Sequence, residues 1–161
     1  MSLEIREADL DDASHCRGLL EVLDSYAAEP VGGGVALSAD VRERLIPALR
    51  EQPTALLLLA FVEGAAVGVA SCFFGFSTFY AKPLLNVHDL AVLPAFRGRG
   101  IGRALLVAAE ERARARGCCK LTLEVREDNQ RARGLYHERG FRDFELQGKQ
   151  YPTLFLSKPL G

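Results

Sequence analysis

Residues 93–103 read Leu93-Pro94-Ala95-Phe96-Arg97-Gly98-Arg99-Gly100-Ile101-Gly102-Arg103, and the fold turns on what bounds them. Ahead of them, Asn86-Val87-His88-Asp89-Leu90-Ala91-Val92 reads as a strand that Pro94 ends. Behind them, residues 100–116 have helical periodicity. Ile101, Leu105 and Ala108 recur on one face, with Leu106, Ala109 and Ala113 beside them, while Glu110, Glu111, Arg112, Arg114 and Arg116 fall outward and Gly117 stops the helix. Residues 120–125 alternate as the next strand. A strand, helix and strand joined this way predict two parallel neighbouring strands in a right-handed crossover.

Three glycines at alternate positions, where a strand gives way to a helix, let the backbone approach a ligand closely. The unpaired N–H groups and dipole of the helix start then favour an anion. Arg97, Arg99 and Arg103 add positive charge, so a phosphate group is the expected occupant. The dinucleotide fingerprint does not fit, because the sixth position is Arg103 counted from Gly98 and Leu105 counted from Gly100. A P-loop is excluded, since no Gly-Lys-Ser/Thr occurs. On these residues alone, a ligand-free strand–helix turn remains the competing reading.

Working outward, residues 3–8 alternate as a short strand. Asp9, Asp11 and Asp12 then open a helix carried by Cys16, Leu19, Leu20, Leu23 and Ala27 to about Tyr26. Pro30 and Gly32-Gly33-Gly34 break it. A second helix is expected over 38–50 on Val41, Leu45 and Leu49, kinked or shortened by Pro47. Two apolar runs, 55–62 and 67–76, read as a hairpin turning over 63–66, followed by a loop over 77–85. Asn129 caps a short helix containing Ala132, Leu135 and Tyr136, which Gly140 closes, and residues 141–146 and 153–157 finish as strands. The order β-α-α-β-β-β-α-β-α-β-β predicts one α/β domain over residues 1–161. Its mixed sheet has about seven strands, with about four helices on its two faces.

Composition narrows the function. The 161 residues are 48% hydrophobic and 25% charged with net charge −1, the profile of a globular domain with no basic surface for nucleic acid. The longest apolar run, 55–62, is too short to span a bilayer, and the first residues lack an apolar leader, so no membrane association and a cytoplasmic location are expected. Cys16, Cys72, Cys118 and Cys119 contain no CxxC pair, and only three histidines accompany them. They are expected as reduced thiols with no metal site.

The motifs then converge on one family. Arg97, Gly100 and Gly102 form Arg/Gln-x-x-Gly-x-Gly/Ala between a strand and a helix. Leu90-Ala91-Val92-x-Pro94 precedes this motif, and Ile101-Gly102-x-x-Leu105-Leu106 continues it. Further on stands Asn-x-x-Ala-x-x-Leu-Tyr-x-x-x-Gly-Phe, as Asn129, Ala132, Leu135, Tyr136, Gly140 and Phe141. Both patterns, in this order with a strand between them, resemble the GNAT superfamily of N-acetyltransferases, as does the element order along the whole chain. The resemblance implies the GNAT fold and acetyl-CoA as co-substrate, in a homodimer with a small-molecule amine acceptor; a protein or peptide acceptor, or a non-catalytic acyl-CoA-binding regulatory protein, stays open beside it.

It also implies residue roles. The pantetheine arm would lie in a gap beside Leu90, Ala91 and Val92, with a peptide N–H near Leu90 donating to the thioester oxygen. Amides of Arg97, Gly98, Arg99, Gly100, Ile101, Gly102 and Arg103 would hold the pyrophosphate. Asn129 would be a helix cap and cofactor ligand together, and one of Arg131, Arg133 and Arg139 would reach the 3′-phosphate. Tyr136 matches the family's proton donor to the departing thiolate. The amine must lose a proton before attack. Where the family often has Glu, this chain has His88 followed by Asp89. Histidine is the residue type suited to that task near neutral pH, but Asp89 stays open as the base, because alternation along a strand lets only one of the two face the acetyl group. Phe76, Phe79 and Tyr80 are expected to wall the amine pocket with Asp89. The run 73–92 is similar to that of diamine-type acetyltransferases.

Overall fold

The two apolar runs pair as the hairpin at the centre of the sheet. β2 (Ala55–Val62) and β3 (Ala65–Ser77) turn over Glu63 and Gly64 alone, at φ of 50° and 82°, the two-residue turn whose twist matches the flanking strands. The chain, a computed structural model describing residues 1–161, adds β1 (Leu3–Glu7) on one side of this hairpin and β4 (Lys82–Val92) on the other, both antiparallel. β5 (Leu121–Leu123) lies parallel to β4, so the sheet runs β1-β2-β3-β4-β5. The parallel pair is joined by α3 (Ile101–Ala115), as the crossover pattern predicts.

The helices cover the two faces of this sheet. α1 (Ala13–Ala28) starts on Asp12, whose carboxylate accepts from the N–H groups of Ser14 and His15; α2 (Ala39–Arg50) starts on Ser38, which accepts from Val41 N–H. Leu19 and Val22 of α1 and Ile46 of α2 pack with Leu57, Leu59, Phe61, Val69 and Ala91 on one face. Pro47 does not shorten α2, which continues to Arg50. α3 lies on the opposite face, where Gly68 leaves room for it. A Cβ there would sit 3.2 Å from Ile101 Cγ2, Leu105 Cδ1 and the Ala91 carbonyl. No helix is long and apolar enough to cross a membrane.

Contacts divide the chain into two compact units, Met1–Leu123 and Glu124–Gly161. The second contains α4 (Gln130–Glu138), capped by Asn129 through Ala132 N–H and closed by Gly140 at φ 89°. It also contains a hairpin of β6 (Phe144–Leu146) and β7 (Lys149–Tyr151). The expected strand over 153–157 does not form. The Gln147–Gly148 turn, with φ of 52° and 76°, closes the hairpin earlier, and residues 152–161 have no regular structure. The seven strands therefore fall in a five-stranded and a two-stranded sheet. β5 is shorter than residues 120–125, and β4 begins at Lys82, inside the expected 77–85 loop.

Candidate active site

The gap beside β4 follows from its two ladders. β4 pairs with β3 along its whole length, Ser77↔Lys82 to Gly68↔Val92, but with β5 only at Leu85, Asn86 and Val87. From residue 88 onward the β5-side edge of β4 has no neighbouring strand. Which groups face this edge is set by an irregularity: Cys72 opposes Val87 while Ser71 opposes Asp89, so His88 is an extra residue in β4. Leu85 N–H points toward β5, donating to Lys120 O, whereas Leu93 N–H points toward β3, donating to Val67 O. Those residues are an even number apart and would face the same way in a regular strand, so the bulge reverses the alternation. Leu90 and Val92 thus turn their backbone groups to the open edge. Ala91 does not: its backbone belongs to the ladder with Val69 and its side chain to the core. The expectation that Ala91 lines the gap with its neighbours is corrected accordingly.

The bulge also changes the reading of the candidate bases. Phe73 and Ser71, two residues apart on β3, share one face. The His88 ring meets Phe73 edge-on, with centroids 5.9 Å apart, and Ser71 stands directly opposite Asp89 in the ladder. His88 and Asp89 therefore lie on the same face, contrary to the alternation expected from sequence. His88 is exposed and Asp89 partly buried. Burial pushes the Asp89 carboxyl above its ordinary value, partly offset by charge interaction with His88 and by the neighbouring Ser71 hydroxyl. Folded Asp89 thus holds its proton to higher pH than the unfolded chain does. Stability is lost as pH rises from the unfolded carboxylate value, about 3.9, through the raised folded one. Asp89→Asn keeps the size of the side chain and removes the buried charge. We expect a higher urea midpoint than wild type at pH 7, a gain that disappears near pH 3; a midpoint unchanged or lowered at pH 7 contradicts this account.

At the end of β4 the turn has the geometry of an anion cradle. Gly98 and Gly100 have φ of 75° and 78°, and a Cβ on either would meet nothing within 4 Å. Gly100 begins α3 with no side-chain cap, so the amides of Ile101, Gly102 and Arg103 open the helix. Two of the three arginines serve the turn itself. Arg97 Nε donates to Val92 O at 2.9 Å, and its Nη2 pairs with Glu29. Arg99 lies over the Phe96 ring and donates to Ala95 O at 3.1 Å. Backbone amides on an open glycine turn, beside an open strand edge, fit a pyrophosphate followed by a linear amide-bearing arm.

Phe76, Phe79 and Tyr80 are not gathered around His88 and Asp89. Phe76 pairs with Pro83 five residues beyond Ser71, at about 3.3 Å per residue about 17 Å along the strand, and Phe79 and Tyr80 sit in the turn beyond it. Phe79 is 98% exposed, and Tyr80 packs under Lys120 instead. In the second unit, Asn129 caps α4 and the Tyr136 ring is 8% exposed, edge-on to Phe141 at 5.8 Å. All four thiols are free; Cys72 is fully buried, and burial, with Asp89 nearby, pushes it up to about 12. Ser71 and Glu29 were not among the residues singled out from sequence, and Phe73 entered only as the start of the run 73–92. Only Ser71, a polar residue within an apolar run, carried a local signal.

A family model described as the acetyltransferase (GNAT) family matches residues 19–141. The chain is 28% identical to an uncharacterized N-acetyltransferase of Bacillus subtilis over 141 residues, covering 88% of this chain and 91% of that one. It is 39% identical to an acetyltransferase of Yersinia enterocolitica over 105 residues, 65% of each. A crystal structure of a probable acetyltransferase shares the fold at TM-score 0.76, with 22% identity over 99% of this chain and 100% of that chain.

Proposed function

Because this chain belongs to the GNAT family of acetyltransferases, we propose that it transfers an acetyl group from acetyl-CoA to a primary amine of a small cationic acceptor, a diamine or an amino-acid-like molecule. The observation that carries this acceptor class is the bulge at His88, which sets an imidazole and a partly buried carboxylate on one face of β4. A carboxylate there attracts an alkylammonium, and an imidazole beside it takes up the proton that the ammonium must lose.

The amides of residues 98–103 hold the pyrophosphate, and the edge groups of Leu90 and Val92 hold the pantetheine arm. Bound acetyl-CoA supplies an activated acyl group on sulfur. Leu90 N–H, unpaired at the open edge, donates to the acyl oxygen, where negative charge grows during attack. His88 accepts the proton of the amine, and Asp89 stabilises the resulting imidazolium. Tyr136 donates its phenolic proton to the sulfur, a role it takes from the Asn129–Phe141 motif. Attack is direct, with both substrates bound, so that positioning the two together supplies much of the rate.

Thiol release from acetyl-CoA across polyamines, amino acids, aminoglycosides and peptides tests this reading. Turnover with diamines or amino acids, and initial-rate lines that intersect, are the expected results. Turnover with peptides alone would overturn the small-amine reading, parallel lines would overturn direct transfer, and no acceptor-dependent release in any class would count against catalysis.

A further inference from the structure

Glu29 joins two loops that sequence separates widely. It ends α1, where its N–H donates to Tyr26 O at 3.1 Å. Its carbonyl accepts from Gly32 N–H at 2.9 Å and from Gly34 N–H at 2.8 Å, and so shapes the tight turn that begins the 29–38 loop. That turn is closely fitted, because a Cβ on Gly32 would lie 2.0 Å from the Tyr26 carbonyl. The rest of the loop is tied to the same helix, by Val35 N–H to Ala27 O at 3.1 Å and Leu37 N–H to Asp24 Oδ1 at 2.8 Å. The Glu29 carboxylate leaves this loop and pairs with Arg97. The same guanidinium holds Val92 O, one of the two carbonyls turned to the open edge of β4. The two side chains are only 22% and 24% exposed, so removing either charge leaves its partner half-buried and unmatched.

We propose that Glu29 is a positioning residue that couples the 29–38 loop to the cofactor-binding turn through Arg97. The inference rests on the CoA-binding role proposed above for residues 98–103. Occupation of the turn and of the β4 edge holds the Arg97 guanidinium on Val92 O. The Glu29 carboxylate transmits that restraint to its own carbonyl, and from there to Gly32 and Gly34. The 29–38 loop is thereby stiffened when the cofactor is in place.

Hydrogen exchange with and without CoA, the probe, tests this in wild type, Glu29→Gln and Glu29→Asp. In wild type, CoA is expected to slow exchange several-fold both in 97–103 and in 29–38. In Glu29→Gln, which keeps an acceptor but no charge, CoA should still protect 97–103 while its effect on 29–38 is lost. Glu29→Asp, which keeps the charge, should retain part of it. A purely structural role for Glu29 would loosen the loop equally with and without CoA. If CoA protects 29–38 as strongly in Glu29→Gln as in wild type, or protects only 97–103 in wild type, the coupling is wrong and the CoA site stands. Protection of neither segment in wild type overturns the CoA site and the coupling with it. Should Glu29→Gln fail to fold, the Asp variant decides: protection of 29–38 wholly lost despite the retained charge also counts against the coupling.

Discussion

Tyr136→Phe is expected to lower turnover by about 100- to 10,000-fold, the usual contribution of a positioned general acid, while leaving CoA affinity unchanged. The substitution removes one hydroxyl and nothing else of the packing. The ring is buried, and its edge-on contact with Phe141 fixes the end of α4 where Gly140 turns the chain. Phenylalanine preserves that contact. Thiol release gives kcat, and calorimetry with CoA gives the affinity. An unchanged kcat removes Tyr136 as proton donor. A variant that loses CoA binding together with thermal stability would show that the residue acts through α4 rather than through its proton. The comparison has force because Tyr136 carries the strongest competing structural explanation, a core aromatic at helical spacing with Ala132 and Leu135.

The parts of the fold that were legible are those where local chemistry leaves one solution. The alternate glycines between an apolar strand and an amphipathic helix required a crossover, and Asn129 and Gly140 marked both ends of α4 by side-chain capping and by positive φ. The misreadings that matter for the site come from pairing, which no local pattern encodes. A single extra residue in β4 is invisible in Val87-His88-Asp89, yet it turns Ala91 toward β3 and brings His88 and Asp89 to one face. The aromatics of 76–80 read as a pocket wall because strand length was underestimated. With β4 starting at Lys82, they are carried out on a hairpin tip. The strand expected over 153–157 lost to Gln147–Gly148, whose positive-φ turn paired residues 149–151 first. The Glu29–Arg97 pair spans 68 positions; only the folded chain reveals it.

His88→Ala is the second substitution with a large expected effect: a fall in kcat/KM of about 100- to 10,000-fold near neutral pH, with little change in stability. Two observations separate these outcomes. His88 is exposed and its one ring contact is with the edge of Phe73, so removing it disturbs no core packing. It is also the bulged residue of β4, so its side chain is aimed by backbone irregularity rather than by neighbours, and alanine retains that backbone. Added imidazole should restore part of the lost rate, because the missing group is a proton acceptor in an open position. Asp89→Asn should slow turnover less than His88→Ala does, since it removes the partner of the imidazolium and not the acceptor itself. The double variant should be scarcely slower than His88→Ala, the non-additivity expected of two groups acting as a unit. If His88→Ala retains full rate while Asp89→Asn loses it, the carboxylate is the base. Its raised proton affinity then predicts an acid limb in kcat/KM above the ordinary carboxylate range, and that limb would be absent from the asparagine variant.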